Sequence, residues 1–389
     1  MPAAALPVHD PRILEQALIA RFDAAGYGRV DPPILQPADV FLDLSGESIR
    51  RSLYLTADAD GGELCLRPEL TIPVAREVLR QMRPLPAAVS YLGPVFRFRG
   101  ADAGEFRQAG VESFGRADIE AADAEILALG LDVCALYGIE QPEIRLGDVG
   151  LFAALLEALP LAPALRRRLL KDFGQGRLGV EPVQPAAPGP AQGAPQRTPH
   201  AGVLAALAGA DPAAARALIT DLLSIAGIST VGGRTVSEIA ERFLEQAALD
   251  AGGGLSQDTA AVLQRYLAIE GPPEAASAQL RALASDAGID LSPALAVFDR
   301  RAALLASRDV TLAEVRFSTA FGRPLDFYSG MVFELHDPAG RAGGALVAGG
   351  RYDRLLSRLG TPMAVPAVGL AAWVERLAGL DALSPRGAL

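Results

Sequence analysis

Leu14, Ala17, Leu18, Phe22 and Ala25 recur at three- and four-residue spacing, which places them on one face of a helix. Asp10 suits the N-cap, Pro11 the first helical position and Gly26 the stop, so a helix is predicted between them. In GYGRVDPPILQPADVF the pattern becomes extended, and Pro32, Pro33 and Pro37 suit an edge or interface strand better than a sheet centre. ELCLRP reads as a strand, and TIPVAREVLRQM as a helix with Pro73 in its first turn. VSYLGPVFRFR and FRQAGVESFG read as longer strands joined by the Gly-containing loop GADAGE, an antiparallel hairpin. Residues 118–138 return to helical spacing.

From about residue 150 the texture changes. FAALLEALPLAPALRRRLL is helical, whereas the Pro/Gly/Ala/Gln stretch at 182–200 cannot pack as regular structure and reads as a linker or mobile loop. Residues 201–307 are Ala- and Leu-rich with almost no strand signal, so an all-helical insertion is expected. Strands resume with EVRFSTAF and LDFYSGMVFELHD; AGRAGG is a turn, GGRYDRLLSRL runs from glycines into a helix, and PAVGLAAWVERLAGL ends the pattern. The expected organisation is a first core part over 1–155, a mostly helical insertion over 156–308 and a second core part over 309–389.

Composition narrows the class. Of 389 residues 50% are hydrophobic and 21% charged, values of a globular chain with a sizeable core. No apolar run reaches the roughly 18 residues a membrane span needs, and the start lacks a basic leader, so an untargeted cytoplasmic protein without a membrane partner is expected. Cys65 and Cys134 stand alone, as do His9, His200 and His336, which leaves neither a disulfide framework nor a clustered metal site. No metal or cofactor is expected. A net charge of −10 speaks against a surface built for phosphate backbones, and Lys171, the sole lysine, leaves little scope for lysine-based covalent chemistry.

Strand alternation then picks out candidate chemistry. Val95, Arg97 and Arg99 share one face of the hairpin, Phe96 and Phe98 the other. On the partner strand Gln108, Gly110 and Glu112 share a face, leaving an amide and a carboxylate with no side chain between them, a gap that could seat a small ligand. Glu69 and Thr71, Arg323 and Tyr328, and Tyr352 lie near other strand ends in apolar surroundings. Brought together, these groups offer carboxylates for an ammonium, arginine for a carboxylate, and a carboxylate with phenols for a ring N–H, which describes an amino-acid pocket. Taken singly, the hairpin is equally a solvated face with an Arg–Glu pair, the tyrosines core residues with satisfied hydroxyls, and GGRYD a glycine turn.

In order along the chain, LRPELT (66–71), YLGPVFRFR with FRQAGVESFG (91–115), RPLDFYSGMVFE (323–334), AGGRYDRL (348–355) and PAVGLAAWVERL (366–377) resemble the core motifs of the histidyl-tRNA synthetase family. The resemblance covers roughly residues 10–150 and 310–380, with the helical region where that family carries its insertion. It implies an α+β, class II aminoacyl-tRNA synthetase-like fold, an antiparallel sheet flanked by helices, dimerising through the first helix and the segment near Pro33. It places the family's histidine-contacting positions on Glu69, Thr71, Gln108, Glu112, Tyr328 and Tyr352, and its two substrate-facing arginines on Arg97 and Arg323.

Departures from the family pattern redirect the function. A Glu-Arg pair that helps hold ATP is replaced by Arg99-Gly100, and the hairpin loop is about three residues shorter. A glycine three residues before the last motif's arginine is replaced by Trp373, whose indole is expected to fill space a nucleotide needs, while Arg376 persists. The chain ends about a dozen residues later, so no anticodon-binding domain and no tRNA partner are expected. A chain with these features is similar to the synthetase paralogues that serve as regulatory subunits of ATP phosphoribosyltransferase. That resemblance implies a non-catalytic protein, a short-form ATP phosphoribosyltransferase catalytic subunit as partner in a hetero-oligomer, and L-histidine as effector in the first step of histidine biosynthesis. A truncated histidine-activating ligase, or a tRNA-sensing module, stands as the alternative.

Overall fold

A computed structural model of the chain describes residues 11–44, 49–100, 104–174, 255–323 and 327–381, with positions 176, 178, 221, 230, 231, 234, 235 and 325. Asp10, residues 101–103 of the hairpin loop and the 182–200 stretch lie outside the described residues.

The first helix, Pro11–Ala24, buries Leu14, Leu18 and Phe22 as their spacing predicts. It stops at Gly26, whose φ of +87° is the left-handed conformation that glycine adopts without a Cβ clash. The N–H of Tyr27 then donates to the Phe22 carbonyl at 3.0 Å, satisfying one of the helix's last acceptors.

Strands β1 (Gly28–Arg29), β5 (Ala87–Phe96), β6 (Glu105–Phe114), β7 (Glu143–Asp148), β10 (Glu270–Gly271), β11 (Val315–Ser318), β12 (Met331–His336), β13 (Ala345–Arg351) and β14 (Ala367–Trp373) form one sheet. Their order is β1-β5-β6-β14-β13-β12-β7-β11-β10. Six central strands, β5 to β7 in that order, pair antiparallel, while β1/β5 and β7/β11 pair parallel. A second, three-stranded sheet orders β2 (Leu35–Pro37), β4 (Glu63–Leu66) and β3 (Leu55–Ala57), with β4 in the middle. The fold is α+β, a largely antiparallel sheet with helices.

Three local readings differ from expectation. Leu325 and Phe327–Gly330 are not strand; β12 begins at Met331, so Tyr328 stands in the loop before it. Gly349 and Gly350 are not a turn but lie inside β13, and the helix after them is a single turn, Leu355–Arg358. Both glycines are held extended by neighbours that leave no room for a side chain. A Cβ on Gly350 would lie 2.9 Å from the Tyr328 ring.

The chain divides into two compact units, one of Met1–Leu155, Phe173–Arg177 and Tyr266–Leu389, the other of Leu156–Asp172 and Leu178–Arg265. In the second unit the described parts include most of the helix Pro163–Gly174 and a short antiparallel pair, β8 (Thr230–Val231) with β9 (Arg234–Thr235), where only helix was expected. Two helices assigned to the insertion by spacing, Pro273–Ala287 and Ser292–Ala306, belong to the first unit. Helical periodicity says that a face is buried, not against what. Here Phe298 packs edge-on against Phe317 of β11 with centroids 4.8 Å apart, and Arg301 enters the core.

That arginine belongs to a buried ionic cluster behind β13. Asp123, on the helix Ile119–Leu136, accepts from Arg301 Nε at 2.8 Å and Arg351 Nε at 2.7 Å, and Arg301 Nη1 reaches Asp148 at 2.6 Å. Asp148 also accepts from the N–H of Gly150 at 2.8 Å, so charges removed from water are returned hydrogen bonds. Arg351 directly precedes Tyr352, and the cluster thereby fixes the strand end that carries a site tyrosine.

Candidate functional site

Arg67, 1% exposed, pins the approach to the site. Its Nε donates to the Pro94 carbonyl at 2.8 Å and its Nη1 to Pro32, cross-linking the end of β4 to β5 and to the proline segment. Just beyond it Glu69 turns inward. Its carboxylate accepts from the N–H of Thr71 at 2.6 Å and of Ile72 at 2.9 Å, donors that the start of the helix Thr71–Arg80 would otherwise leave unused. Burial pushes the Glu69 carboxyl above its usual range, against the opposing pull of those N–H groups and of Arg97.

Glu112 lies on β6, 1% exposed. Tyr91 OH donates to Oε1 at 3.3 Å and Tyr352 OH to Oε2, with the Thr71 hydroxyl as a further partner. Burial raises the carboxyl to about 8 despite these donors, with Glu69 adding like-charge repulsion. Directly across the ladder sits Gly369 of β14, and a Cβ there would fall 1.6 Å from Glu112 Oε2. Tyr91 corrects the sequence reading of an open gap over Gly110. The two residues are paired on neighbouring strands, and the Tyr91 hydroxyl occupies the space a Gly110 side chain would take, bonded to Glu112 and to the Leu370 carbonyl at 3.1 Å.

Cationic groups close the other side. Arg97 donates from Nε to the Pro68 carbonyl at 2.7 Å, and burial lowers it to about 10, with Arg99, Arg323 and Arg376 near enough to add to the shift. Arg97 and Arg99 both face the Phe106 ring, at 5.5 and 4.3 Å from its centroid, so they do share a face. Arg323 donates to Tyr328 OH at 2.8 Å and pairs with Glu334 at 3.3 Å; Glu334 in turn meets His336 Nε2 at 2.9 Å.

Glu69, Thr71, Arg97, Gln108, Glu112, Arg323, Tyr328 and Tyr352 all line one cavity of about 290 Å³ in the first unit. The remaining lining includes Ile49, Ser52, Ala348 and Trp373. Its mix of a few convergent polar groups in apolar walls is that of a small-molecule ligand site. Trp373, read from sequence as filling nucleotide space, ends β14 opposite Gln108 and forms part of the wall, with Arg376 stacked 5.1 Å from its ring centroid. Tyr91 and Gly369 escaped the sequence reading. Hairpin register would have placed Tyr91 opposite Gly110, but no sequence signal tied Gly369 to Glu112 before the order of strands was known.

Residues 8–178 and 214–377 match the family model described as histidyl-tRNA synthetase. An ATP phosphoribosyltransferase regulatory subunit of Brucella canis is 40% identical over 367 residues, covering 94% of this chain and 96% of the relative. The protein of the same name from Brucella abortus (strain 2308) is also 40% identical, over 94% of this chain and 95% of its own. Among solved structures, an ATP phosphoribosyltransferase regulatory subunit/histidyl-tRNA synthetase from Bacillus halodurans superposes with a TM-score of 0.64 at 21% identity, over 97% of this chain and 82% of that one. A histidyl-tRNA synthetase from Nostoc sp. PCC 7120 gives 0.62 at 15% identity, over 100% of this chain and 77% of that one. At those identities the two structures speak to the fold alone.

Proposed function

The chain belongs to the family of ATP phosphoribosyltransferase regulatory subunits, which share the histidyl-tRNA synthetase fold, and from that premise we propose that it is required for activity of a short catalytic subunit and makes that activity sensitive to L-histidine. In this reading the chain has no catalytic activity of its own, and the complex is cytoplasmic. The observation that carries the assignment is the 40% identity to proteins of that name along nearly the whole length of both chains. The role of histidine receptor is supported by the cavity, where opposite kinds of group meet at the scale of one amino acid.

Glu69 and Gln108 would take the ammonium, Arg97 and Arg323 the carboxylate. Glu112, flanked by Tyr91 and Tyr352, would accept from a ring N–H, with Thr71 and Tyr328 completing the wall. Histidine would act by binding one arrangement of the complex better than another; a coupling of about 1–3 kcal/mol corresponds to roughly 5- to 150-fold control. Self-association is supported by Ile34, just before β2, and Leu35, its first residue, 41% and 50% exposed beside the proline segment, an apolar edge suited to a second copy.

The test is reconstitution. The short catalytic chain of the same organism is assayed alone and with this protein, and activity that appears only in the mixture is expected. A catalytic chain equally active alone would overturn the assignment, and histidine-dependent exchange of pyrophosphate into ATP by this chain would favour a ligase instead.

A further inference from the structure

Two residues that line the cavity each carry a buried polar atom with no hydrogen-bond partner among the described residues: Oε1 of Gln108 and Nε1 of Trp373. One is an acceptor and the other a donor. They belong to residues 2% and 8% exposed, paired directly across the β6–β14 ladder, so both side chains leave the sheet on the same face. Cross-strand neighbours of this kind are separated by roughly 4.5–5.5 Å at Cβ. Both residues line the cavity. A buried orphan is costly, and two complementary ones side by side call for a ligand that presents a donor and an acceptor a few ångströms apart. The α-ammonium and carboxylate of a free amino acid, carried on one carbon, have that spacing and those polarities.

Resting on the reading of this cavity as a histidine receptor, we infer that the indole N–H of Trp373 donates to the carboxylate of the bound amino acid while Gln108 Oε1 accepts from its ammonium. Trp373 is then more than an obstruction to a nucleotide. It reads whether the carboxylate is free, because an indole N–H can only donate and a ligand with an ammonium but no carboxylate leaves it orphaned. Arg376 stacked on the indole face supports the same polarity by adding positive charge beside the donor. The cavity should therefore reject histamine, which keeps the ring and the ammonium but lacks the carboxylate.

Trp373 is the only tryptophan in the chain, so its indole N–H gives a single assignable resonance in a nitrogen-edited proton spectrum of the full-length protein. Calorimetric titration of the unmodified chain with L-histidine is read first, and then the spectrum with L-histidine and with histamine. Histidine should move the indole proton downfield and histamine should leave it in place. Trp373→Phe, which keeps an aromatic wall but removes the donor, should weaken histidine about tenfold to a hundredfold and leave histamine unchanged. Histidine binding with an unmoved indole proton, or equal histidine affinity in the variant, would overturn the inference and leave the receptor reading standing. Absence of histidine binding to the unmodified chain would overturn both, and is seen before any substitution is made. Should the variant fail to fold, the resonance of the unmodified chain decides.

Discussion

Gly369 stands directly opposite Glu112 across the β6–β14 ladder, and the missing side chain is the space that the Glu112 carboxylate occupies. Gly369→Ala would set a methyl carbon 1.6 Å from Oε2 and 2.6 Å from the Val111 carbonyl, of which only the first can move away. The substitution is expected to cost about 1–3 kcal/mol of stability and to turn the carboxylate out of the cavity. Denaturant unfolding and histidine titration check the two parts.

The Glu112 carboxyl rises from 4.5 to about 8 on folding, chiefly through burial. A raised acid holds its proton more tightly in the folded chain, so its contribution to stability is complete below about 4.5 and is lost progressively as pH climbs through about 8. Glu112→Gln removes the titration. In the absence of ligand, the variant should gain on the parent between those limits by up to about 1.4 kcal/mol per pH unit, and level off above them. Denaturation midpoints of both proteins at a series of pH values measure the difference.

Asp123 separates buried from exposed ionic interactions. Its carboxylate is fully buried and shared by Arg301 and Arg351, so Asp123→Ala leaves Arg301 with Asp148 alone and Arg351 with the half-buried Asp353, and should cost about 3–5 kcal/mol. Arg316→Ala removes a partner of Glu143 whose own side chain is 71% exposed, and should cost less than about 1 kcal/mol. Urea unfolding of both variants tests the ranking.

Much of the fold was legible because its signals are local. The first helix, the β5–β6 hairpin and the helix at Thr71 follow from spacing, a proline or a glycine, and each forms where that pattern puts it. β7 was missed. It lies between β12 and β11, and its alternation of Ile144 and Leu146 with Arg145 spans only six residues, too short to stand out beside the long helices on either side. Non-local facts were the rest: that Phe298 and Arg301 carry their helix onto the main sheet, or that Tyr91 fills the space over Gly110, depends on which strands become neighbours. The eight polar residues singled out as a site meet in one cavity even though they come from five separated segments of the chain.

Histidine inhibition of the reconstituted complex, measured with the parent chain and with Glu112→Ala, tests the central claim most directly. Removing the acceptor should leave assembly and basal activity in place and raise the histidine concentration needed for half-inhibition by about tenfold or more; Gln108→Ala should raise it less. A Glu112→Ala complex inhibited at the same histidine concentration as the parent would contradict the account.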